Sequence, residues 1–440
     1  MRNFLCMMLL MSAVSARSQS PAVIDGATLI DGKGGPPLGN SVIVLRGRKI
    51  EAAGRKGEVP VPEGARVIDG RGTFVIPGLI DCHIHYDSPR DLMQLIAWGV
   101  TSANCMFEST DQALEMERMT SGDSVHAPRI YGTAPIFTAV HGWWWGEGFP
   151  IDSSINRFPG APEEARGLVG KAKAKGIKRI KLMYDDMGWC RDPLPKLTRM
   201  REDVMRALIA EGRASTLVSE VHAPNLNDAL AAVDAGVSAL AHGILDAPFD
   251  SAAIGKIVRG GLYYIPTFCV FEFLADTKGF MSATLSEARF HDALPEAALR
   301  RYTGEEYYDH YRATYPNISF VRSHLPVLRD NMKRLAERHA NVVMGTDMWA
   351  FPGIGAHLEL EFMVQAGMTP MEAIVSATSR GAKFLGEGEV KGTIEPGREA
   401  DLLILGQNPL DDIRNTRSIR QIVKQGRLFD HSALVGESKR

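Results

Sequence analysis

The chain has 440 residues, of which 45% are hydrophobic and 23% charged, and its formal net charge is -2. This composition is ordinary for a globular protein with a large buried core, and the length suits one large domain with a small one beside it. A nearly neutral chain has no overall basic field to attract nucleic acid or an anionic membrane, so we expect small-molecule partners.

The first residues, 1–20, predict a secretory signal peptide. Arg2 precedes an apolar run from Phe4 to Val14, and small residues follow that run; this is the layout of a cleavable signal. The run is shorter than the roughly 20 apolar residues that a membrane-spanning helix needs. We therefore predict an exported protein, periplasmic or secreted, without stable membrane insertion; the alternative is a disordered or buried start.

Removing this segment would leave four cysteines at spacings that match no metal-binding motif. They are Cys82, Cys105, Cys190 and Cys269. They do not predict a disulfide framework, although the sequence leaves a single bridge open in an oxidising compartment.

Both ends of the remaining chain have the pattern of short strands joined by tight turns. Apolar runs broken by glycine occur within residues 21–76, as in VIVLRGRKI and GRGTFVI, and within residues 388–432, as in LLILG and IRQIVKQGRLF. Such runs predict strands and hairpins. We therefore predict one small β-sandwich domain built from both chain ends.

Residues 77–387 alternate strand-like apolar runs with amphipathic helical stretches. Strands that alternate with helices form parallel sheets, so the predicted fold class is α/β, with a (β/α)8 TIM-type barrel as the main domain. Several predicted helices end at a glycine, which favours the left-handed position just past a helix. These glycines are Gly176, Gly212, Gly236 and Gly367. A stretch near 270–335 that is rich in Arg, Glu, Tyr and His predicts a mostly helical insertion covering the site.

The clearest chemical motif is PGLIDCHIH, in which His83 and His85 follow an apolar run. Since they are two positions apart on an extended strand, their imidazoles project to one side, where they can share a metal ion. An isolated pair of this kind is about as often two surface or hydrogen-bonded histidines. The motif therefore needs support from elsewhere in the chain.

That support comes from the ends of other strand-like runs. Lys181 lies in KRIKLMY, His222 ends TLVSEVH, His242 ends SALAH, and Asp347 ends VVMGTD. The carboxyl ends of barrel strands converge on one face, where active sites are found, so we predict that these side chains meet there. Each has a simpler explanation alone: a solvent-reaching lysine, core histidines, or an aspartate that caps a helix. Their joint placement argues against these explanations.

With these motifs, the chain resembles the amidohydrolase superfamily, in particular the branch of imidazolonepropionases and prolidase-like exported dipeptidases. The strings that carry the resemblance cover nearly the whole chain beyond the signal: VIDGRGTFVIPGLIDCHIH, GIKRIKLM, AGVSALAHG, MGTD, TPMEAIVSATSRGAKFLG and GTIEPGREADLLILGQNPLDDI. Together they are specific for the superfamily and weak for the substrate.

The resemblance implies a centre of two divalent metal ions, with zinc as the expected metal. It implies that His83, His85 and Asp347 hold one ion and that His222 and His242 hold the other. Lys181 would be carboxylated by carbon dioxide into a bridging carbamate, because an ammonium group would be repelled by two cations whereas a carbamate supplies anionic oxygen. An unmodified Lys181 would leave a mononuclear enzyme.

The implied reaction is hydrolysis by a metal-bound hydroxide. Two ions lower the pKa of a bridging water molecule and polarise the scissile carbonyl. Asp347 would take the proton from the hydroxide and pass it to the leaving group, which makes it the predicted catalytic acid and base.

Three further residues are candidate substrate contacts. His141 opens the loop HGWWWGEG, where relatives carry a similar histidine, and Trp143 begins a run of three tryptophans that could form the wall of an apolar pocket. Tyr184, near the end of the Lys181 strand, could bind a substrate carboxylate. The simpler alternatives are a loop histidine without a ligand and tryptophans that pack the loop onto the barrel.

These observations predict hydrolysis of a carbon–nitrogen amide bond in a dipeptide or an N-acyl amino acid. The alternatives are a cyclic-amide hydrolase of the imidazolonepropionase type, a lactonase and, more remotely, a catalytically silent binding protein on the same fold. All the expected ligands are present, which argues against the silent protein. The sequence leaves a homo-oligomer open.

Overall fold

The structure is a computed structural model that describes residues 20–85, 88–107, 109–122, 126–143 and 155–439. It is a mixed α/β protein in which one sheet joins the two chain ends and parallel strands form the middle. The predicted signal peptide lies outside the described residues except for Ser20, so export stays a prediction.

The strands of the described chain are β1 (Ala22–Leu29), β2 (Leu38–Arg46), β3 (Lys49–Arg55), β4 (Arg66–Asp69), β5 (Phe74–Pro77), β6 (Leu79–Ile84), β7 (Val100–Met106), β8 (Arg129–Thr133), β9 (Ile136–Phe137), β10 (Arg179–Met183), β11 (Val218–His222), β12 (Ala239–Ala241), β13 (Tyr263–Ile265), β14 (Asn341–Val342), β15 (Leu402–Leu405), β16 (Ile419–Lys424) and β17 (Arg427–Asp430). The helices are α1 (Pro89–Ala97), α2 (Thr110–Thr120), α3 (Glu164–Ala174), α4 (Gly188–Arg191), α5 (Glu202–Ala214), α6 (Leu226–Asp234), α7 (Ser251–Gly260), α8 (Phe268–Ala275), α9 (Thr277–Ser286), α10 (Ala288–His291), α11 (Glu296–Thr303), α12 (Glu305–Thr314), α13 (Ile318–Glu337), α14 (Ile354–Gln365), α15 (Pro370–Ser376), α16 (Ser379–Phe384) and α17 (His431–Ser438), with a 3-10 helix at Ile413–Arg417.

The terminal sheet combines strands from both chain ends in the order β17-β16-β15-β5-β1-β2-β3. β5 is the junction, because it pairs in parallel with β1 and antiparallel with β15. β4 also pairs with β1, so the sheet branches there. Alternate residues of β1 face opposite sides, since Ile24 packs in one apolar cluster and Val23 in another. The pairing is that of one branched sheet, and the two-layer sandwich stays a prediction.

The middle of the chain forms two parallel sheets, with the orders β6-β7-β8 and β14-β13-β12-β11-β10-β9. Every residue of β6 and β7 is buried, which is typical of parallel strands covered by helices. Backbone hydrogen bonds bridge both gaps between the sheets: Ala134 donates to the carbonyl of Arg179 at 3.0 Å, and Cys82 donates to that of Met344 at 2.9 Å. The paired strands described here do not form a closed ring, but these bonds bring the ends of the two sheets together.

Six helices, α8 to α13, separate β13 from β14. Seven of the eight residues of α8 are buried, and the exception is Glu272. Its Phe273 ring lies 4.8 Å from the ring of Tyr311 in α12 and 5.5 Å from that of Trp349, which follows β14. Aromatic packing therefore fixes these helices beside the carboxyl ends of the parallel strands.

Three of the four glycines predicted at helix ends have the expected left-handed backbone. They are Gly176 (φ 100°), Gly236 (φ 82°) and Gly367 (φ 105°). The prediction for Gly212 was wrong, because α5 continues through it to Ala214 and Thr216 takes the left-handed position with φ 60°. A Cβ atom on Gly212 would lie 3.3 Å from Cδ1 of Ile180, so this glycine allows close packing between helix and strand.

The four cysteines that remain beyond the signal are all buried and free, so the disulfide that the sequence left open is not formed. Within the part of the chain that the structure describes, no helix combines the length and apolar character needed to cross a membrane.

Candidate metal centre and substrate cavity

Three of the predicted ligands, His83, His85 and His242, lie around the carboxylate of Asp347. Its Oδ1 lies 3.5 Å from Nε2 of His83 and 3.3 Å from Nε2 of His85. Its Oδ2 lies 3.8 Å from Nδ1 of His242. The ring of His222 is adjacent, with its centroid 4.4 Å from that of the His242 ring. Side chains that are far apart in the sequence therefore meet beside the ends of β6, β11, β12 and β14.

Asp81 holds the loop that carries Asp347 against β6. Its carboxylate accepts hydrogen bonds from the backbone N–H of His83 and from the backbone and hydroxyl of Thr346, at 2.8 to 3.1 Å. Burial raises the pKa of Asp81 to about 7. Gly345 permits the close approach, because a Cβ atom there would lie 2.4 Å from a side-chain carbon of Ile265. The sequence did not single out Asp81, although it stands inside the PGLIDCHIH motif.

Hydrogen bonds orient both rings of the second histidine pair. Nε2 of His222 lies 3.0 Å from Oδ2 of Asp185, and Asp185 also accepts a hydrogen bond from the indole of Trp189 at 2.8 Å. Burial raises the pKa of Asp185, but the hydrogen bond with His222 and its other hydrogen bonds outweigh burial. The pKa of Asp185 therefore lies below its usual value. Nδ1 of His242 lies 2.9 Å from the hydroxyl of Thr267. Each ring thus uses one nitrogen for a protein partner and keeps the other for a further ligand.

Lys181 lies on β10, and its side chain is 3% exposed. Among the described residues its Nζ has no hydrogen-bond partner. Burial lowers the pKa of this amine to about 8. A buried amine without a partner, beside four histidines and a carboxylate, fits a lysine that carries a further group.

The set of donors fits divalent metal ions. Imidazole nitrogens and carboxylate oxygens are the usual non-sulfur ligands of zinc. Burial lowers the pKa of His83 and of His242 well below the usual histidine value, so both rings are neutral and able to ligate. The ligand atoms of His83, His242 and Asp347 lie within 4.8 Å of one another. This cluster is a candidate metal centre.

A cavity of about 1090 Å³ opens over the centre. Its wall is mostly apolar and aromatic, and it includes side chains from α2, from the strand ends and from α8, α11 and α12. Representative lining residues are Met106, Met116, Trp143, Phe271, Tyr311 and Trp349. The four histidines, Lys181 and Asp347 line the same cavity. The molecule therefore combines a polar centre with a large apolar chamber.

The predicted substrate contacts differ in their positions. Trp143 lines the cavity, and its ring lies 5.9 Å from that of Tyr315. His141 is exposed and Tyr184 is buried beneath Arg199, and neither is among the cavity-lining residues. The other two tryptophans of the run, Trp144 and Trp145, lie outside the described residues. Substrate binding by His141, Trp143 and Tyr184 stays a prediction.

The model of the amidohydrolase family matches residues 74–429. The chain therefore belongs to the amidohydrolase family and is a hydrolase. The match runs from the terminal sheet through all the candidate ligands to the last strand of that sheet.

Curated proteins and solved structures resemble this chain over most of its length. Ochratoxinase from Aspergillus niger is 24% identical over 451 aligned residues, which cover 92% of this chain and 86% of that protein. The crystal structure of A. niger ochratoxinase has a TM-score of 0.70 and 20% identity, with coverage of 93% of this chain and 96% of the other. A Xaa-Pro dipeptidase with methionine bound in its active site has a TM-score of 0.74 and 22% identity, with coverage of 93% and 100%.

Proposed function

We propose that this amidohydrolase cleaves the carbon–nitrogen amide bond of an N-acyl amino acid or a dipeptide. The observation that carries the proposal is that four histidines, Lys181 and Asp347 line one cavity together. A dipeptidase and ochratoxinase share the fold, and the dipeptidase holds an amino acid, which supports a substrate of this class.

The scaffold in this proposal is a closed (β/α)8 barrel. The backbone hydrogen bonds across the two gaps between the parallel sheets support closure. A further bond from the amide of Asp347 to the carbonyl of His83, at 2.8 Å, ties the last strand segment to the first. In such a barrel the ligands lie at the carboxyl ends of the strands, where active sites of this fold are built.

The residues that would hold two divalent ions, zinc in the first instance, fall into two groups. His83, His85 and Asp347 form one, and His222 and His242 form the other. Lys181 would join them as a carbamate, for which its lowered pKa is favourable because only the neutral amine adds carbon dioxide. When bound, such ions supply Lewis-acid chemistry that polarises the amide carbonyl and activates water.

Asp347 is the proton carrier in this proposal. During hydrolysis a bond forms between a water oxygen and the carbonyl carbon, and the carbon–nitrogen bond breaks. The water proton passes to a carboxylate oxygen of Asp347 and from there to the leaving nitrogen, so that a carboxylic acid and an amine are released. His83 and His85 flank Oδ1 within 3.5 Å and fix its position.

The cavity wall indicates a bulky apolar substrate with an anionic end. The cavity volume lies just above the roughly 300–1,000 Å³ usual for small-molecule sites, which is more than a small cyclic amide needs. Arg301 of α11 lines the cavity, with its guanidinium carbon 5.8 Å from the centre of the Tyr307 ring. It has no carboxylate partner among the described residues, whereas its neighbour Arg300 pairs with Glu296. We assign Arg301 to the substrate carboxylate.

A substrate screen of the zinc-loaded enzyme tests the proposed function. We expect the highest kcat/KM for N-acyl amino acids with a bulky apolar acyl group, and lower values for Xaa-Pro dipeptides. Hydantoins and lactones represent the cyclic alternatives. Release of product from these cyclic compounds alone, with none from any acyclic amide, would contradict the proposal.

Replacing Arg301 with alanine tests the anionic end. Because a hydrogen bond to a charged group contributes about 1.5–3 kcal/mol, KM for an N-acyl amino acid should rise about 10- to 100-fold with little change in kcat. The same substrate with its carboxylate converted to a carboxamide should be cleaved equally by both enzymes. Arg312→Ala is the matched control, since Arg312 pairs with Asp309 at 3.4 Å and does not line the cavity. Equal losses in both variants would remove the assignment.

A further inference from the structure

The residue that holds His242 has a strained backbone. Thr267 has φ 48° and ψ 49°, a left-handed conformation that a β-branched side chain rarely adopts. It is fully buried, and its hydroxyl lies 2.9 Å from Nδ1 of His242. Strain of this kind persists only where the surrounding structure imposes it, and it is common at functional sites. Something in the fold must therefore hold Thr267 in place.

The group that does so is the carboxylate of Glu359 in α14. Its Oε1 accepts a hydrogen bond from the backbone N–H of Phe268 and its Oε2 accepts one from Cys269, both at 2.8 Å. These are the first two residues of α8, directly after Thr267. Cys269 also donates from its thiol to the carbonyl of Gly355, which joins α8 and α14 a second time. The start of α8, which follows Thr267, is thus fixed by residues of α14.

Glu359 is an unexpected residue in this position. It is completely buried, and among the described residues it has no ion-pair partner. Burial raises its pKa to about 8 even though the two backbone hydrogen bonds act in the opposite direction. An apolar side chain at this position would leave the buried backbone N–H groups of Phe268 and Cys269 without their acceptors. Glu359 therefore serves as the acceptor that fixes the start of α8.

We propose that Glu359 is a positioning residue for the metal centre: it fixes Thr267 so that the Thr267 hydroxyl holds Nδ1 of His242 and sets the orientation of this ring as a ligand. A hydrogen bond on one ring nitrogen sets the tautomer and orientation of a ligating histidine, and removing such a partner typically weakens metal binding 10- to 100-fold. The inference rests on the proposed function only in that His242 is taken to be a ligand.

Zinc affinity of the folded apoprotein, measured by chelator competition, tests this proposal without any substrate. Glu359→Gln keeps the side-chain size but replaces one acceptor oxygen with an amide nitrogen that cannot accept. We expect it to bind zinc about 10- to 100-fold more weakly. Thr267→Ala should weaken binding by a similar factor, whereas Thr267→Ser keeps the hydroxyl and should restore it. Should Glu359→Gln not fold, Glu359→Asp takes its place.

A double-mutant cycle identifies the route of the effect. If Glu359 acts through Thr267, the variant with both Glu359→Gln and Thr267→Ala should bind zinc no more weakly than the worse single variant. A double variant whose loss of zinc affinity equals the product of the two single losses would overturn the proposal. Asp250→Asn is the matched control, because Asp250 also accepts a hydrogen bond at a helix start, from Ala253 at 2.7 Å, but lies away from the centre. The zinc affinity of the Asp250→Asn variant should equal that of the wild-type protein.

Two other outcomes are decisive. A Glu359→Gln variant with a lower Tm but unchanged zinc affinity would show that Glu359 only stabilises α8, and the inference would fail while the proposed function stood. A wild-type protein that binds no zinc and no other divalent ion would overturn both.

Discussion

Replacing Asp347 with asparagine should lower kcat about 10³-fold or more on the best substrate from the screen, while the free energy of unfolding changes little. Asparagine has nearly the same size, but its amide can neither take up nor deliver a proton, and general acid–base catalysis of this kind contributes about 10²–10⁴-fold. The position tolerates the change because the Asp347 side chain is partly exposed, at 13%, and lines a cavity. Steady-state kinetics and thermal unfolding measure the two effects separately.

Asp246→Asn is a suitable control for this variant. Asp246 lies four positions after His242, accepts a hydrogen bond from the backbone of Leu226 at 2.7 Å and does not line the cavity. We expect its kcat to stay within a few-fold of the wild-type value. Turnover by Asp347→Asn within tenfold of the wild-type enzyme would remove the proton-carrier role of Asp347.

Replacing Lys181 with methionine should reduce the metal content by about half and lower kcat by at least about 10²-fold, since the proposed carbamate would supply ligand oxygens to the ions and needs the amine. In its formation a bond joins Nζ to the carbon of carbon dioxide and one proton is released. Methionine has a similar length and is apolar, so the buried site should still pack. Elemental analysis and kinetics in parallel check this prediction.

Carbon dioxide itself gives a second measurement for Lys181. Wild-type apoprotein reloaded in degassed buffer should take up fewer ions until bicarbonate is added, whereas Lys181→Met should not respond to bicarbonate. Lys178→Met serves as the control, because Lys178 is exposed at the start of the same run. If Lys181→Met keeps the wild-type metal content and rate, the carbamate is contradicted.

The meeting of the candidate ligands was predictable because their signal is local. His83, His242 and Asp347 each stand at or near the end of a strand-like run, and parallel strands bring such ends together without any knowledge of side-chain packing. The alternation of a strand explains the position of Tyr184 as well. Lys181 and Met183 line the cavity, whereas Tyr184 stands at odd spacing from both and falls outside it. Applied to this strand, the same rule predicts that Lys181 and Met183 face the cavity and that Tyr184 faces away from it.

Other parts of the site depend on contacts between distant segments. Glu359 reaches the start of α8 across 91 positions, and Asp81 reaches Thr346 across 265. No periodicity in the sequence encodes such pairs, since each depends on how helices and loops pack around the parallel strands. Arg301 likewise gains its place in the cavity only from the packing of α11 and α12. The sequence therefore predicts the candidate ligands better than the residues that position them or the residues proposed to select the substrate.

The metal content of the purified wild-type chain tests the central claim most directly. After reconstitution with zinc and removal of loosely bound ions, elemental analysis should find close to two ions per chain. Less than one ion per chain, not improved by manganese, iron or bicarbonate, would mean that the imidazoles, the amine and the carboxylate do not act together as ligands.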